Sequence, residues 1–91
     1  MIRDSLTRDR AETLALDGLA FLAGSPDRIG QFLKNSGLDA AELRRRAADP
    51  DILRAVLDFL LSDDSLVADF CRSEGLEPRD LHMANHLLAK S

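Results

Sequence analysis

The sequence predicts an all-α protein, a compact six-helix bundle built from two pseudo-symmetric three-helix repeats. Three observations carry that prediction. Leu and Ala together number 29, whereas Val, Ile and Thr together number seven, a skew that favours helix over strand. Gly, Pro and short polar side chains fall where helices begin and end. The apolar and turn signals also recur, without a gap, at an offset of 38 residues.

Each helix has its own local signals. Thr7 or Asp9 caps the first, which runs to about Ala23; Asp9 and Glu12 have capping-box spacing. Ser25-Pro26 reads as an N-cap followed by proline at the first helical position, and this second helix ends at Gly37. Asp39 and Glu42 form a capping box for a third helix ending near Ala48. Asp49-Pro50 opens a fourth, to about Leu61. Asp63 caps a fifth, stopped by Gly75. Glu77-Pro78 opens a sixth, to about Ala89.

The repeat pairs residues 14–43 with residues 52–81. Leu19 meets Leu57, Phe21 meets Phe59, Leu22 meets Leu60, Phe32 meets Phe70, Gly37 meets Gly75 and Leu43 meets Leu81. Ser25 meets Asp63, Asp39 meets Glu77 and Glu42 meets Asp80, so the cap positions match too. Two copies are too few for a solenoid, so they are expected to close on each other as one globule. Segment 52–61 is apolar nearly all round, with only Arg54 and Asp58 polar, which places it in the centre with the first helix and puts Phe59 in the core. Gly18 would allow those two helices to cross closely.

A chain of 91 residues makes one domain, 1–91, of which residues 1–7 are expected to be flexible. Twelve Lys and Arg oppose sixteen Asp and Glu, for a net charge of −4. Residues 1–49 carry eight bases and eight acids, whereas residues 50–91 carry four and eight, so the excess is confined to the second half. A phosphate backbone attracts positive charge, and this chain as a whole repels it. Cys71 is the single cysteine, so no internal disulfide forms and a reduced cytoplasm is the natural setting. The N-terminus lacks the apolar run of a signal peptide, and uninterrupted apolar stretches such as Phe59-Leu60-Leu61 are far short of a membrane span. Trp and Tyr, the usual aromatic anchors of binding hot spots, are absent.

Few residues group into chemistry. Residues 32–46 resemble a DNA-binding helix-turn-helix, with Gly37 in the turn and Arg44, Arg45 and Arg46 on the second helix. The fit is partial. Leu33 sits where a small residue usually lets the helices approach, and Asp39 and Glu42 put negative charge where bases would be read. Basic side chains near a helix C-terminus also complement its dipole. Asp80, His82 and His86 have the i, i+4 histidine spacing of a metal site, but Met83 stands where the catalytic glutamate of the metalloprotease motif would be. The helical wheel groups Leu81, Met83, Ala84, Leu87 and Leu88 on one arc and both histidines opposite, towards solvent. Cys71 reads as a small core residue, and Ser25, Ser62 and Ser65 as helix-start residues. Asp63 and Asp64 are helical neighbours that do not face each other, so they form no acid–base pair. No catalytic constellation, cofactor loop or metal site is expected.

Several stretches together resemble a known family. They are Ala11 through Ala23, Phe32-Leu33 through Gly37-Leu38, Arg46-Ala47-Ala48-Asp49-Pro50, and Val56 through Leu61. They are similar to a family of small all-helical alphaproteobacterial proteins known only as a domain of unknown function, over about Arg8 to Leu88. The resemblance implies a compact helical cytosolic protein and supplies no activity, cofactor or catalytic residue. It also implies a loose link to neighbourhoods of cell-cycle response regulators.

The expected function is a small cytosolic, non-enzymatic protein–protein interaction or regulatory adaptor module, monomeric or homodimeric. Arg44, Arg45 and Arg46 are its candidate partner-binding residues, facing an acidic protein surface. The alternative is a helix-turn-helix-like DNA-binding regulator using residues 32–46.

Overall fold

Thr7 leaves extended backbone and accepts a hydrogen bond from the Arg10 amide through its hydroxyl, which starts the first helix. Of the two candidates for that cap, Thr7 fills the position. A computed structural model describes residues 7–89; of the segment 1–7 expected to be flexible, residues 1–6 lie outside that range. The described residues form α1 (Arg8–Ala23), α2 (Pro26–Ser36), α3 (Ala40–Arg46), α4 (Pro50–Leu61), α5 (Asp64–Glu74) and α6 (Pro78–Ala89). Among the described residues there is no strand, and no helix is long and apolar enough to cross a membrane.

The boundaries follow from local chemistry. Ser25, Asp39, Asp49 and Asp63 each accept a backbone N–H at the start of the helix that follows. Gly37 and Gly75 close α2 and α5 in the left-handed region, at φ 78° and 68°. Only glycine enters that region without a steric penalty. The Glu77 amide donates to Asp80 Oδ2 at 2.9 Å, the same back-bond that Asp39 makes to Glu42 Oε1 at 3.3 Å.

The centre is a three-helix pack of α1, α4 and α6. Contact between α1 and α4 agrees with the sequence. An ideal Cβ on Gly18 would lie 2.9 Å from Leu60 Cδ1 and 3.3 Å from Val56 Cγ1, so the missing side chain sets their separation. The sequence pattern does not point to the third member. Leu81, Ala84 and Leu88 form one fully buried stripe on α6, and each buried leucine contributes about 1.5–3 kcal/mol of transfer free energy. The register-mate of α6 is α3, which does not pack on α1 or α4 in this way. It is only two turns long and buries a single side chain, Leu43.

α2 and α5 flank this centre. Phe32 and Phe70, the largest fully buried side chains, come from them. Each ring packs on the half-buried phenylalanine of the other half of the chain. Phe21 meets Phe70 at 5.3 Å between centroids, and Phe32 meets Phe59 at 5.5 Å. Phe59 is therefore half-buried rather than a full core residue: it lies on the flank of α4 that faces α2, beside the stripe formed by Val56, Leu57 and Leu60. Arg28 lies over Phe21, 4.6 Å from its centroid, and donates to Asp69 Oδ2 at 2.9 Å, tying α2 to α5.

Candidate functional site

α3 owes its existence to its first turn. Asp39 Oδ1 accepts the Glu42 amide at 2.8 Å, and Glu42 Oε1 accepts the Asp39 amide at 3.3 Å, a complete capping box. Leu43 turns inward to the core. Helical geometry then sends Arg44 and Arg45 outward, and both are exposed. Among the described residues neither has an ion-pair partner.

Arg46 has a different role. Its Nη2 and Nε donate to Asp49 Oδ2 at 3.2 and 3.3 Å. Asp49 Oδ1 in turn accepts the Asp51 amide at 3.0 Å and caps α4. The Asp51 amide chiefly holds the Asp49 carboxyl below its usual range; desolvation, the next largest effect, opposes it, and the hydrogen bond and charge of Arg46 add to the lowering. The structure thus brings Arg44 and Arg45 together as free cations and sets Arg46 apart as the link between α3 and α4. The Asp49 cap was readable in the sequence, and its i, i+3 spacing from Arg46 was the signal for this pair.

The helix-turn-helix candidate does not assemble a helical hairpin. α2 and α3 meet at the turn and do not pack along each other. The arginines occupy the last turn of α3, whereas a recognition helix reads bases mainly from its N-terminal residues.

The remaining candidates divide simply. His82 and His86 are both exposed, and Asp80 Oδ2 is occupied by the Glu77 amide. Among the described residues no group of three or more His, Cys, Asp and Glu is placed to hold a metal ion. Met83 is 48% exposed and leaves the arc on which the helical wheel put it, because the inward stripe of α6 centres on Leu81, Ala84 and Leu88. Cys71 is buried beside Phe70, and burial, with the charge of Asp80 second, pushes its thiol above the ordinary range. Ser25 is an N-cap as expected. Ser62 instead ends α4, its hydroxyl donating to the Phe59 carbonyl at 2.6 Å, because Asp63 takes the cap of α5.

Sequence reasoning missed a shallow groove of about 360 Å³ between the end of α4, α5 and α6. Leu61, Asp64, Val67, Ala68, Pro78 and His82 line it. Only Asp64 hinted at it, as a carboxylate at a helix start whose cap was already supplied by Asp63.

The family described as "Protein of unknown function (DUF3572)" matches residues 8–91. The chain belongs to that family. Neither the curated proteins nor the solved structures yield a match. The DUF3572 match spans every helix from α1 onward, including α3 and its arginines.

Proposed function

We propose that this DUF3572 chain is a cytosolic, non-enzymatic protein–protein interaction module that docks an acidic partner surface on Arg44 and Arg45. The observation that carries this reading is the contrast within one turn of α3. Arg46 spends its charge on Asp49, whereas Arg44 and Arg45 are exposed and without a partner among the described residues. Such an unpaired cationic pair on a net-acidic molecule steers association and sets its register. In this reading Arg46 belongs to the scaffold of the surface.

The reading includes an internal duplication of residues 14–43 in residues 52–81. Exchange of register-mates turns the pair Phe21–Phe70 into the pair Phe59–Phe32, and the two have similar geometry. Gly37 and Gly75 share the left-handed cap. Gly18 approaches Val56, its own register-mate, as residues beside a pseudo-two-fold axis do. The outer surfaces of the copies differ, so Arg44 and Arg45 are not required by the duplication.

A titration followed by NMR tests the surface. A glutamate-rich peptide should shift the amides of Arg44, Arg45 and Ala48, with the effect declining as salt rises. Shifts scattered over the whole surface, or none in that turn, would remove the site. Duplex DNA titrated in parallel should bind weakly and without sequence preference. Tight, sequence-selective binding at physiological salt would instead favour a DNA-binding role for residues 32–46.

A further inference from the structure

The groove between α5 and α6 has a chemistry opposite to that of the α3 surface. Its floor is buried Val67, with half-buried Leu61 at one side. Its rim is formed by exposed Asp64, Ala68, Pro78 and His82. A volume of about 360 Å³ accepts one leucine-sized side chain, and the groove is too open to enclose a cofactor.

Asp64 makes the groove selective. Its neighbour Asp63 caps α5 by accepting the Ser65 and Leu66 amides at 2.8 and 3.4 Å. Asp64 has no hydrogen bond or ion pair among the described residues. The surroundings add negative charge, since the second half of the chain carries the whole excess of acids and Asp63 is exposed beside Asp64, whereas Glu77 is offset by its ion pair with Arg79 at 3.5 Å. An apolar side chain that enters the groove therefore brings its flanking residue beside an unpaired carboxylate in a negative field, and a basic flank is favoured there.

We propose that this groove is a second docking surface, which takes an apolar side chain flanked by a basic residue on a peptide segment of a partner protein. Val67 and Leu61 receive the apolar side chain, and Asp64 pairs with the cation. At the positions 38 residues earlier in the sequence, Pro26 stands for Asp64 and Arg44 for His82. The groove is independent of the Arg44–Arg45 surface, and its test separates them.

Three short labelled peptides in a Gly-Ser background are the probes, carrying a central Leu-Arg, Leu-Glu or Ser-Arg pair. The Leu-Arg peptide should shift the amides of Val67, Ala68 and His82. Its affinity should exceed that of the other two by about threefold or more. Ala68→Phe, which fills the groove from an exposed position, should weaken it about tenfold. Asp64→Asn should weaken it about two- to fivefold and reduce its salt dependence. The Arg44→Glu/Arg45→Glu protein should bind it as the wild type does. Equal affinity for all three peptides, shifts that map elsewhere, or binding unaffected by Ala68→Phe in a protein with a dispersed spectrum would each overturn the proposal.

Discussion

Phe32 and Phe59 pack edge to face, with centroids 5.5 Å apart and an interplanar angle of 69°. The two residues lie in different halves of the chain, so the contact holds α2 against α4. Phe32 is 1% exposed, whereas Phe59 keeps one flank towards solvent. Phe32→Ala should therefore cost about 3–5 kcal/mol, and Phe59→Ala about 1–3 kcal/mol, since less of its ring loses contacts. A double-mutant cycle in urea should return a coupling of about 0.5–1.5 kcal/mol. Additive losses would mean that the rings do not interact.

The glycines give opposite responses to a larger side chain. Gly30 lies inside α2, and a Cβ added there would have no neighbour within 4 Å. Gly30→Ala should stabilise the fold by about 0.5–1 kcal/mol through helix propensity. Gly18→Val should destabilise it by about 1–3 kcal/mol, because the branched side chain meets Leu60 and Val56 at the α1–α4 crossing. Thermal melts of the two variants should shift in opposite directions.

Asp49 gives the fold a pH-dependent contribution of known sign. Its carboxyl is held below the ordinary value of 3.8 in the folded state, chiefly by the Asp51 amide. The contribution is therefore present above that value and is lost as the pH falls through the lower folded pKa. Asp49→Asn keeps a good N-cap but abolishes this titration and the Arg46 ion pair. The stability difference between wild type and variant should be constant near neutrality and shrink below about pH 4. A difference that grows on acidification would contradict the assignment.

Cys71 should react with a thiol reagent only when the core opens. The side chain is 6% exposed and burial disfavours its thiolate. Its labelling rate at neutral pH should rise steeply with urea, in step with loss of helicity. Rapid labelling in the absence of denaturant would show that α5 opens locally.

The helix ends were legible because their causes are local. Ser25-Pro26, Asp39 with Glu42, Asp49-Pro50 and Asp63 announce starts, and Gly37 and Gly75 announce stops, within a few residues of the features they produce. What α6 packs against was not legible. Its apolar stripe says that it is buried on one side, but the choice of α1 and α4 as neighbours is made by contacts between residues far apart in the sequence. Misplacement of Met83 and Phe59 has the same origin: a helical wheel gives a side chain's direction, and only neighbouring helices decide how far the covered arc extends. Of the candidate site, Arg44 and Arg45 were readable as a basic cluster. The groove depends on three helices converging and left only the spare carboxylate of Asp64 as a trace.

The interaction reading is tested most directly by comparative affinity capture from native extract. The baits are the wild type, Arg44→Glu/Arg45→Glu, and a control of equal charge change on other exposed cations, Arg10→Glu/Lys34→Glu. All three should stay folded, since none of these side chains is buried; Arg44 and Arg45 lie in the last turn of α3 and Lys34 in that of α2, so both variants should melt slightly below the wild type. At least one protein recovered by the wild type and by the control should be lost from the Arg44→Glu/Arg45→Glu bait. Identical recovery on all three baits would contradict a docking role for Arg44 and Arg45.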